Sequence, residues 1–336
     1  MNLERQLISI VSPAHNEEKN LDIFHAQISK AVEGADFDIE FVIVDDGSRD
    51  RTADVLRSLV ARDPRMRALI LSKNFGAIAA CTAGLQHAVG DAAILMTCDL
   101  QEPASNIVSF VERWRQGYDI VWAVRRNRDD PFLKSLFADC FYWLIRRLAF
   151  ADYPKRGTDS GLFSRAALNI YRSLPERDSS PFYAFYTYGF RQGFIEYDRL
   201  ARLHGTSGWS FWRRVKNAID VMTGFSAAPL RFITALGVVA MAGALFGSLY
   251  IFAFDLLFNA ISPGWPSLMV ISLFVGGLQL CAVGVLASYI RRISEQTRQR
   301  PRFIIAEAYG ADMPRVITRL PNILDLDVSA SNKPWP

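Results

Sequence analysis

The chain has 336 residues, of which 50% are hydrophobic, 21% charged and 12% aromatic, with a net charge of +4. That composition excludes a disordered chain, a collagen-like repeat and a disulfide scaffold. The mild charge, with no RNA- or DNA-binding signature, argues against a nucleic-acid partner. The apolar excess is local: between Arg231 and Arg291 the one charged residue is Asp255.

From Leu7 to Ala123, short apolar runs alternate with longer amphipathic ones. Ile8–Val11, Ile39–Val44, Ala68–Leu71, Ala92–Met96 and Ile120–Ala123 read as buried strands, being short, apolar and bounded by polar residues or glycine. Glu18–Val32, Arg51–Arg62, Ala77–Ala88 and Pro103–Arg115 read as helices. Ser48 or Asp50 supplies a start signal for the second, and Pro103 stands in the first turn of the fourth. This alternation predicts a doubly wound, mostly parallel α/β sheet. Ligands of such sheets lie beyond the carboxyl ends of the strands.

Four of those ends carry Glu17, Asp45 with Asp46, Lys73, and Asp99. Any one would pass as a capping or turn residue, but charged groups at four corresponding ends point to a site. No GxGxxG follows the first strand and no GxxxxGK[ST] occurs, so a dinucleotide oxidoreductase and a P-loop NTPase lose their main support. An acidic rim suits Mg²⁺ or Mn²⁺ holding a diphosphate, since these cations bind through one or two carboxylates plus substrate phosphates. The cysteines, Cys81, Cys98, Cys140 and Cys281, form no CxxC pair, which leaves neither a zinc site nor a redox motif.

Pro131–Phe150 is apolar, aromatic and basic, and reads either as a buried core helix or as a helix at a membrane interface. Ser207–Arg231, with Trp209, Trp212, Arg213, Arg214 and Lys216, predicts an amphipathic juxtamembrane segment. Phe232–Phe254 and Ser267–Ile290 are each long enough for a bilayer span of about 20 residues, with the turn cluster Ser262–Pro266 between them. Gly237, Gly243, Gly247, Gly276, Gly277 and Gly284 are expected to let these helices approach closely and to favour a homo-oligomer. Both flanks of the pair are basic, and no signal peptide is visible at the N-terminus, so both ends are expected in the cytosol. The expected organisation is a cytosolic domain over 1–206, juxtamembrane helices over 207–231, two transmembrane helices within 232–290 and a cytosolic tail over 291–336.

Taken together, Pro13–Glu18 (PAHNEE), Val44–Asp50 (VDDGSRD), Ser72–Gly76 (SKNFG) and Cys98–Pro103 (CDLQEP) resemble the motifs of glycosyltransferase family 2. With Arg156–Arg165 and Phe225–Arg231, they look most like its polyprenyl-phosphate glycosyltransferase branch, which includes dolichyl-phosphate mannose synthases and bactoprenol glucosyl transferases. The resemblance implies a GT-A-type fold and inverting transfer of a sugar from a nucleotide sugar to a polyprenyl phosphate in a bacterial inner membrane. Glucose from UDP-glucose is the first choice. Mannose from GDP-mannose, and N-acetylglucosamine or an aminopentose from a UDP donor, stay open.

The resemblance also implies roles. Pro13, Ala14, Asn16 and Glu17 resemble the loop around the base and ribose, and Asp45 and Asp46 the acidic pair that contacts them. Lys73 and Asn74 stand where the family closes the nucleotide pocket. Asp99 and Gln101 resemble the metal side, for Mg²⁺ or Mn²⁺. Asp159 resembles the acidic residue near the acceptor, either as base or as orienting group. Arg125, Arg128, Lys134 and Ser135 resemble the basic segment that receives the lipid phosphate, with Arg213 added from the juxtamembrane stretch.

One position departs from the family. Its metal motif is Asp-x-Asp, and Thr97 stands here in place of the first Asp. Two readings follow: Asp99 and the donor diphosphate suffice, with Thr97 acting through water, or catalysis is impaired and the chain is a membrane scaffold. A processive polysaccharide synthase is a further rival, but its Gln-x-x-Arg-Trp motif is missing: Arg113-Trp114 precedes Asp159, with Phe110 where Gln should stand.

Overall fold

The computed structural model describes residues 5–126, 143, 146–147, 153–154, 158, 160–173, 180–200, 228–258, 264–298 and 301–311. The candidate residues Arg128, Lys134, Ser135, Asp159 and Arg213 lie outside them, as do most of the Pro131–Phe150 and Ser207–Arg231 segments.

The elements of the first unit are β1 (Leu7–Ala14), α1 (Leu21–Ala31), β2 (Asp38–Asp45), α2 (Thr52–Arg62), β3 (Met66–Leu71), α3 (Ala77–His87), β4 (Ala92–Leu95), α4 (Asn106–Arg115) and β5 (Ile120–Arg125). There follow β6 (Ser160–Ser164), α5 (Arg165–Ser173), α6 (Pro181–Thr187) and β7 (Gln192–Tyr197). After two long helices, α7 (Ala228–Phe258) and α8 (Trp265–Thr297), the chain adds β8 (Ile305–Tyr309).

All eight strands form one sheet in the order β7-β5-β6-β4-β1-β2-β3-β8. Side chains of a strand alternate between faces. Ile8, Ile10, Phe41, Ile43 and Ile94 pack on one side with Phe24, Ile28, Leu56, Leu59 and Phe110 of α1, α2 and α4. Val11, Val42, Val44, Leu69 and Leu95 pack on the other with Ala80, Leu85, Leu168 and Phe185 of α3, α5 and α6. Both faces being covered, the central strands read as continuous apolar runs. The small residues of α3 allow a tight fit: a β-carbon on Gly84 would come within 2.3 Å of Val11 Cγ1.

The sheet is mixed but mostly parallel. Pairs β1–β2, β1–β4, β2–β3 and β5–β7 run parallel, whereas β6 runs antiparallel to β4 and β5, and β8 antiparallel to β3. The antiparallel strands begin at the edge where the others end. One rim therefore collects the carboxyl ends of β1, β2, β3, β4, β5 and β7 together with the starts of β6 and β8.

The tail expected after the second span is thus partly a strand. Ile304 O accepts from Ser72 N–H at 2.9 Å, and Arg57 of α2 bonds Glu307 at 2.7 Å and the Tyr309 hydroxyl at 3.0 Å.

In the second unit, α7 and α8 enclose the two apolar runs expected from sequence and extend beyond both. Leu230–Gly247 and Phe274–Arg291 are long and apolar enough to cross a membrane, and neither stretch is buried by protein. At Gly237, Gly243, Gly247, Gly276, Gly277 and Gly284, no atom of the described residues lies within 4 Å of where a β-carbon would stand.

Candidate active site

The rim is built from loops that hold one another. After β1, Asn16 adopts a left-handed φ of 57°, a conformation that Asn tolerates better than most residues. Its N–H donates to Ser48 Oγ at 2.9 Å, and its Oδ1 accepts from Arg49 N–H at 2.9 Å. The next amide, Glu17 N–H, donates to Thr52 Oγ1 at 2.9 Å, and the Glu17 carboxylate accepts from Asn20 Nδ2 at 2.5 Å. The β1 and β2 loops are therefore one hydrogen-bonded body, with Pro13 and Ala14 at its base.

After β2, Asp45 is buried and receives Ser48 N–H at 3.0 Å, along with the Ser48 hydroxyl. Asp46 turns to the β3 loop and accepts from Phe75 N–H at 2.7 Å and Gly76 N–H at 2.9 Å. Burial pushes the Asp46 carboxyl above its usual range, opposed by those two amide donors. Gly47 has φ 62°, and a β-carbon there would stand 2.3 Å from the Lys73 carbonyl carbon.

After β3, the Lys73 ammonium lies over the Phe75 ring at 5.1 Å. Asn74 Nδ2 donates to His15 Nε2 at 3.2 Å, and His15 Nδ1 lies 3.0 Å from the Asp46 carbonyl. His15 thus joins three loops, with its ring proton assigned to Nδ1 by these partners. The sequence motif does not announce this role, although its position between Ala14 and Asn16 is a signal.

After β4, Asp99 is mostly buried, and its Oδ1 accepts from Thr97 Oγ1 at 2.7 Å and Gln101 N–H at 3.3 Å. Leu100 between them has φ 58°, which is uncommon for a residue with a β-carbon and is found where surroundings enforce it. Cys98 Sγ donates to Pro13 O at 3.3 Å. Burial raises the Cys98 thiol, and the charges of Glu17 and Asp99 raise it further. Gln101 Oε1 accepts from Arg199 just after β7, and its carbonyl accepts from Leu200 N–H at 2.9 Å. Arg125 ends β5 on the same rim, level with Tyr197.

Of the candidates that the structure describes, Pro13, Ala14, Asn16, Glu17, Asp45, Asp46, Lys73, Asn74, Asp99, Gln101 and Arg125 therefore share one rim. Ser48, read from sequence as a helix start, and His15 join them, as do Arg199 and Glu102, which were not singled out.

Asp99 presents a hard oxygen donor, positioned by Thr97. Among the described residues, no group of three His, Cys, Asp or Glu side chains could hold an ion alone. This donor set fits a divalent cation shared with a substrate diphosphate and does not fit a closed, all-protein site.

Glycosyl transferase family 2 matches residues 9–173, the stretch from β1 through α5. The chain is 34% identical over 306 residues to an uncharacterized glycosyltransferase of Synechocystis, covering 91% of this chain and 96% of that protein. It is 34% identical over 299 residues to a prophage bactoprenol glucosyl transferase homolog of Escherichia coli, covering 89% and 98%. It is 35% identical over 304 residues to a prophage-derived bactoprenol glucosyl transferase of Shigella flexneri, covering 90% and 98%. With its motifs gathered on the rim that such a sheet offers to ligands, the chain belongs to glycosyl transferase family 2.

Proposed function

We propose that this protein transfers a sugar from a nucleotide sugar to a membrane polyprenyl phosphate with inversion at the anomeric carbon. The observation that carries the reading is the single rim uniting the loops after β1, β2, β3 and β4 with Arg125. Near-full-length relatives named bactoprenol glucosyl transferase support the acceptor, and they support glucose from UDP-glucose as the first donor to test.

In this reading the β1–β2 body and the Lys73–Asn74 loop enclose the nucleotide, with Asp45 and Glu17 toward base and ribose. Asp99 is the protein ligand for Mg²⁺ or Mn²⁺, and Gln101 holds Arg199 beside the diphosphate. Held by Asp99, such a cation would supply positive charge to compensate the leaving nucleoside diphosphate.

An acceptor phosphate oxygen attacks the anomeric carbon as the bond from that carbon to the diphosphate breaks. A phosphate monoester, with its second pKa near ~6, is largely dianionic at neutral pH. Asp159 therefore orients the acceptor or stabilises positive character on the sugar rather than removing a proton. Arg125, Arg128, Lys134, Ser135 and Arg213 receive the lipid phosphate through charge-assisted hydrogen bonds.

We place α7 and α8 across the membrane. Strand β8 belongs to the same sheet as β1–β7, so the intervening chain crosses an even number of times. The basic residues Arg231, Arg291 and Arg292 then flank the spans on the cytosolic side.

The test is a donor screen with the purified full chain and undecaprenyl phosphate, reading the glycolipid by mass. A product carrying one hexose from UDP-glucose is expected. No glycolipid from any nucleotide sugar, with the lipid and either cation present, sinks the reading.

A further inference from the structure

The Lys73–Asn74 loop, between β3 and α3, is held at both ends by four consecutive residues from the far end of the chain, Arg302–Ile305. At its start the hold is backbone. Ile305 pairs with Leu71 in the antiparallel β3–β8 ladder, and Ile304 O accepts from Ser72 N–H at 2.9 Å. Between them, Phe303 packs on the same apolar cluster as Phe75 of the loop.

At its far end the hold runs through side chains. Tyr171 of α5 is buried, and Arg302 hydrogen-bonds its hydroxyl. The same hydroxyl lies 3.0 Å from Thr82 Oγ1 of α3. Thr82 Oγ1 in turn donates to Ile78 O, in the first turn of α3, at 2.8 Å. A guanidinium only donates, and a hydroxyl has one proton to give. With the Thr82 proton committed to Ile78 O, the Tyr171 proton goes to Thr82, and the Tyr171 oxygen accepts from Arg302. The three bonds therefore point one way, from Arg302 to the helix turn into which the loop runs. Buried bonds in such a chain strengthen one another, and removing the first donor leaves the Tyr171 oxygen short of its partner.

We infer that Arg302 is a positioning residue for the donor: through Tyr171 and Thr82 it braces the end of the Lys73–Asn74 loop, while β8 fixes the start, and so keeps the loop in the form that encloses the nucleotide. The role of that loop rests on the transferase reading above. Arg302 touches no substrate in this account. A loop already fixed at both ends gives up less freedom when a ligand binds, so the brace acts on donor affinity rather than on the maximal rate.

The experiment uses the full chain with Arg302→Met, Arg302→Lys, Tyr171→Phe and the double variant R302M/Y171F. Calorimetric titration with UDP and with GDP, in Mn²⁺, identifies the nucleotide that the parent binds. The Kd for that nucleotide is then measured beside kcat and KM for transfer to undecaprenyl phosphate. Arg302→Met keeps the apolar stem and removes the donor. It is expected to raise the Kd and the donor KM roughly tenfold, with full stoichiometry and with kcat and acceptor KM within about twofold of the parent. Tyr171→Phe, which loses only the hydroxyl, should raise the Kd about fivefold. The double variant should be no more than about twofold weaker than Arg302→Met, because both changes break the same chain. Arg302→Lys retains a donor and should return to within about threefold of the parent.

A Kd for Arg302→Met within about twofold of the parent overturns the inference. So do effects that multiply in the double variant, or a loss of nucleotide stoichiometry at unchanged Kd, which marks a residue needed only for folding. A parent that binds the nucleotide but forms no glycolipid from any donor overturns the transferase reading and leaves the brace standing. A parent that binds neither UDP nor GDP overturns both.

Discussion

Gly47 and Lys73 meet backbone to backbone: the position of a β-carbon on Gly47 is 2.3 Å from the Lys73 carbonyl carbon and 2.5 Å from Asn74 N. The contact joins the β2 and β3 loops without any side chain between them. A methyl group there would collide with peptide atoms that cannot rotate away, at a φ of 62° that already disfavours a β-carbon. Gly47→Ala is expected to lower nucleotide affinity by at least tenfold, about 1.4 kcal/mol, since the two loops must separate. Calorimetry with UDP checks this, and unchanged affinity would mean that the loops open freely.

Asp46 gives the same junction a pH dependence. Its carboxyl is held above the usual carboxylate range by burial, so the folded protein binds that proton more readily than the unfolded chain does. In the window between the ordinary value near ~3.9 and the raised one, stability falls as pH rises. Function runs the other way, because protonation weakens acceptance from Phe75 and Gly76. Donor affinity should drop on acidification at a pH above ordinary carboxylate titration. In Asp46→Asn this limb should vanish, and a limb that persists there assigns the titration to another group.

Thr97 donates a hydrogen bond to Asp99 Oδ1 at 2.7 Å, which offers a role for the hydroxyl that replaces the family's first Asp. Thr97→Val keeps the shape and removes the donor. Manganese-dependent UDP binding should weaken about fivefold, on the order of 1 kcal/mol, whereas UDP binding in EDTA should not change. Equal loss under both conditions would move Thr97 away from the metal side.

Much of this architecture is legible in sequence. The five strands up to Ala123 and the four helices between them follow from apolar runs and their period, and the rim residues follow because each stands just after a run. Strand β6 is short, with Ser160 and Gly161 at its start, and it enters antiparallel, so it lacks the helix-flanked pattern of its neighbours. Strand β8 is hidden by its distance along the chain from β3. The pairs Glu102–Ser160 and His15–Asn74 join residues 58 and 59 positions apart, and no local periodicity encodes such contacts.

Removing residues 301–336 takes away β8 and leaves β3 as a bare edge, which is a template for aggregation. That truncation should lower the melting temperature, promote association and weaken UDP binding through the lost Ser72 contact. A chain that ends after Ala311 keeps the strand and should match the parent in all three. Equal behaviour of the two truncations would deny β8 any part in stability.

Strand β8 also imposes an order on synthesis. The ribosome makes β1–β7 first, then both long apolar helices, and only then the strand that seals the outer flank of β3. Through all of that interval the open flank lacks its native partner. In the proposed placement of α7 and α8 across the membrane, a chain with one helix misdelivered would place its last strand across the bilayer from its partner and leave that flank open.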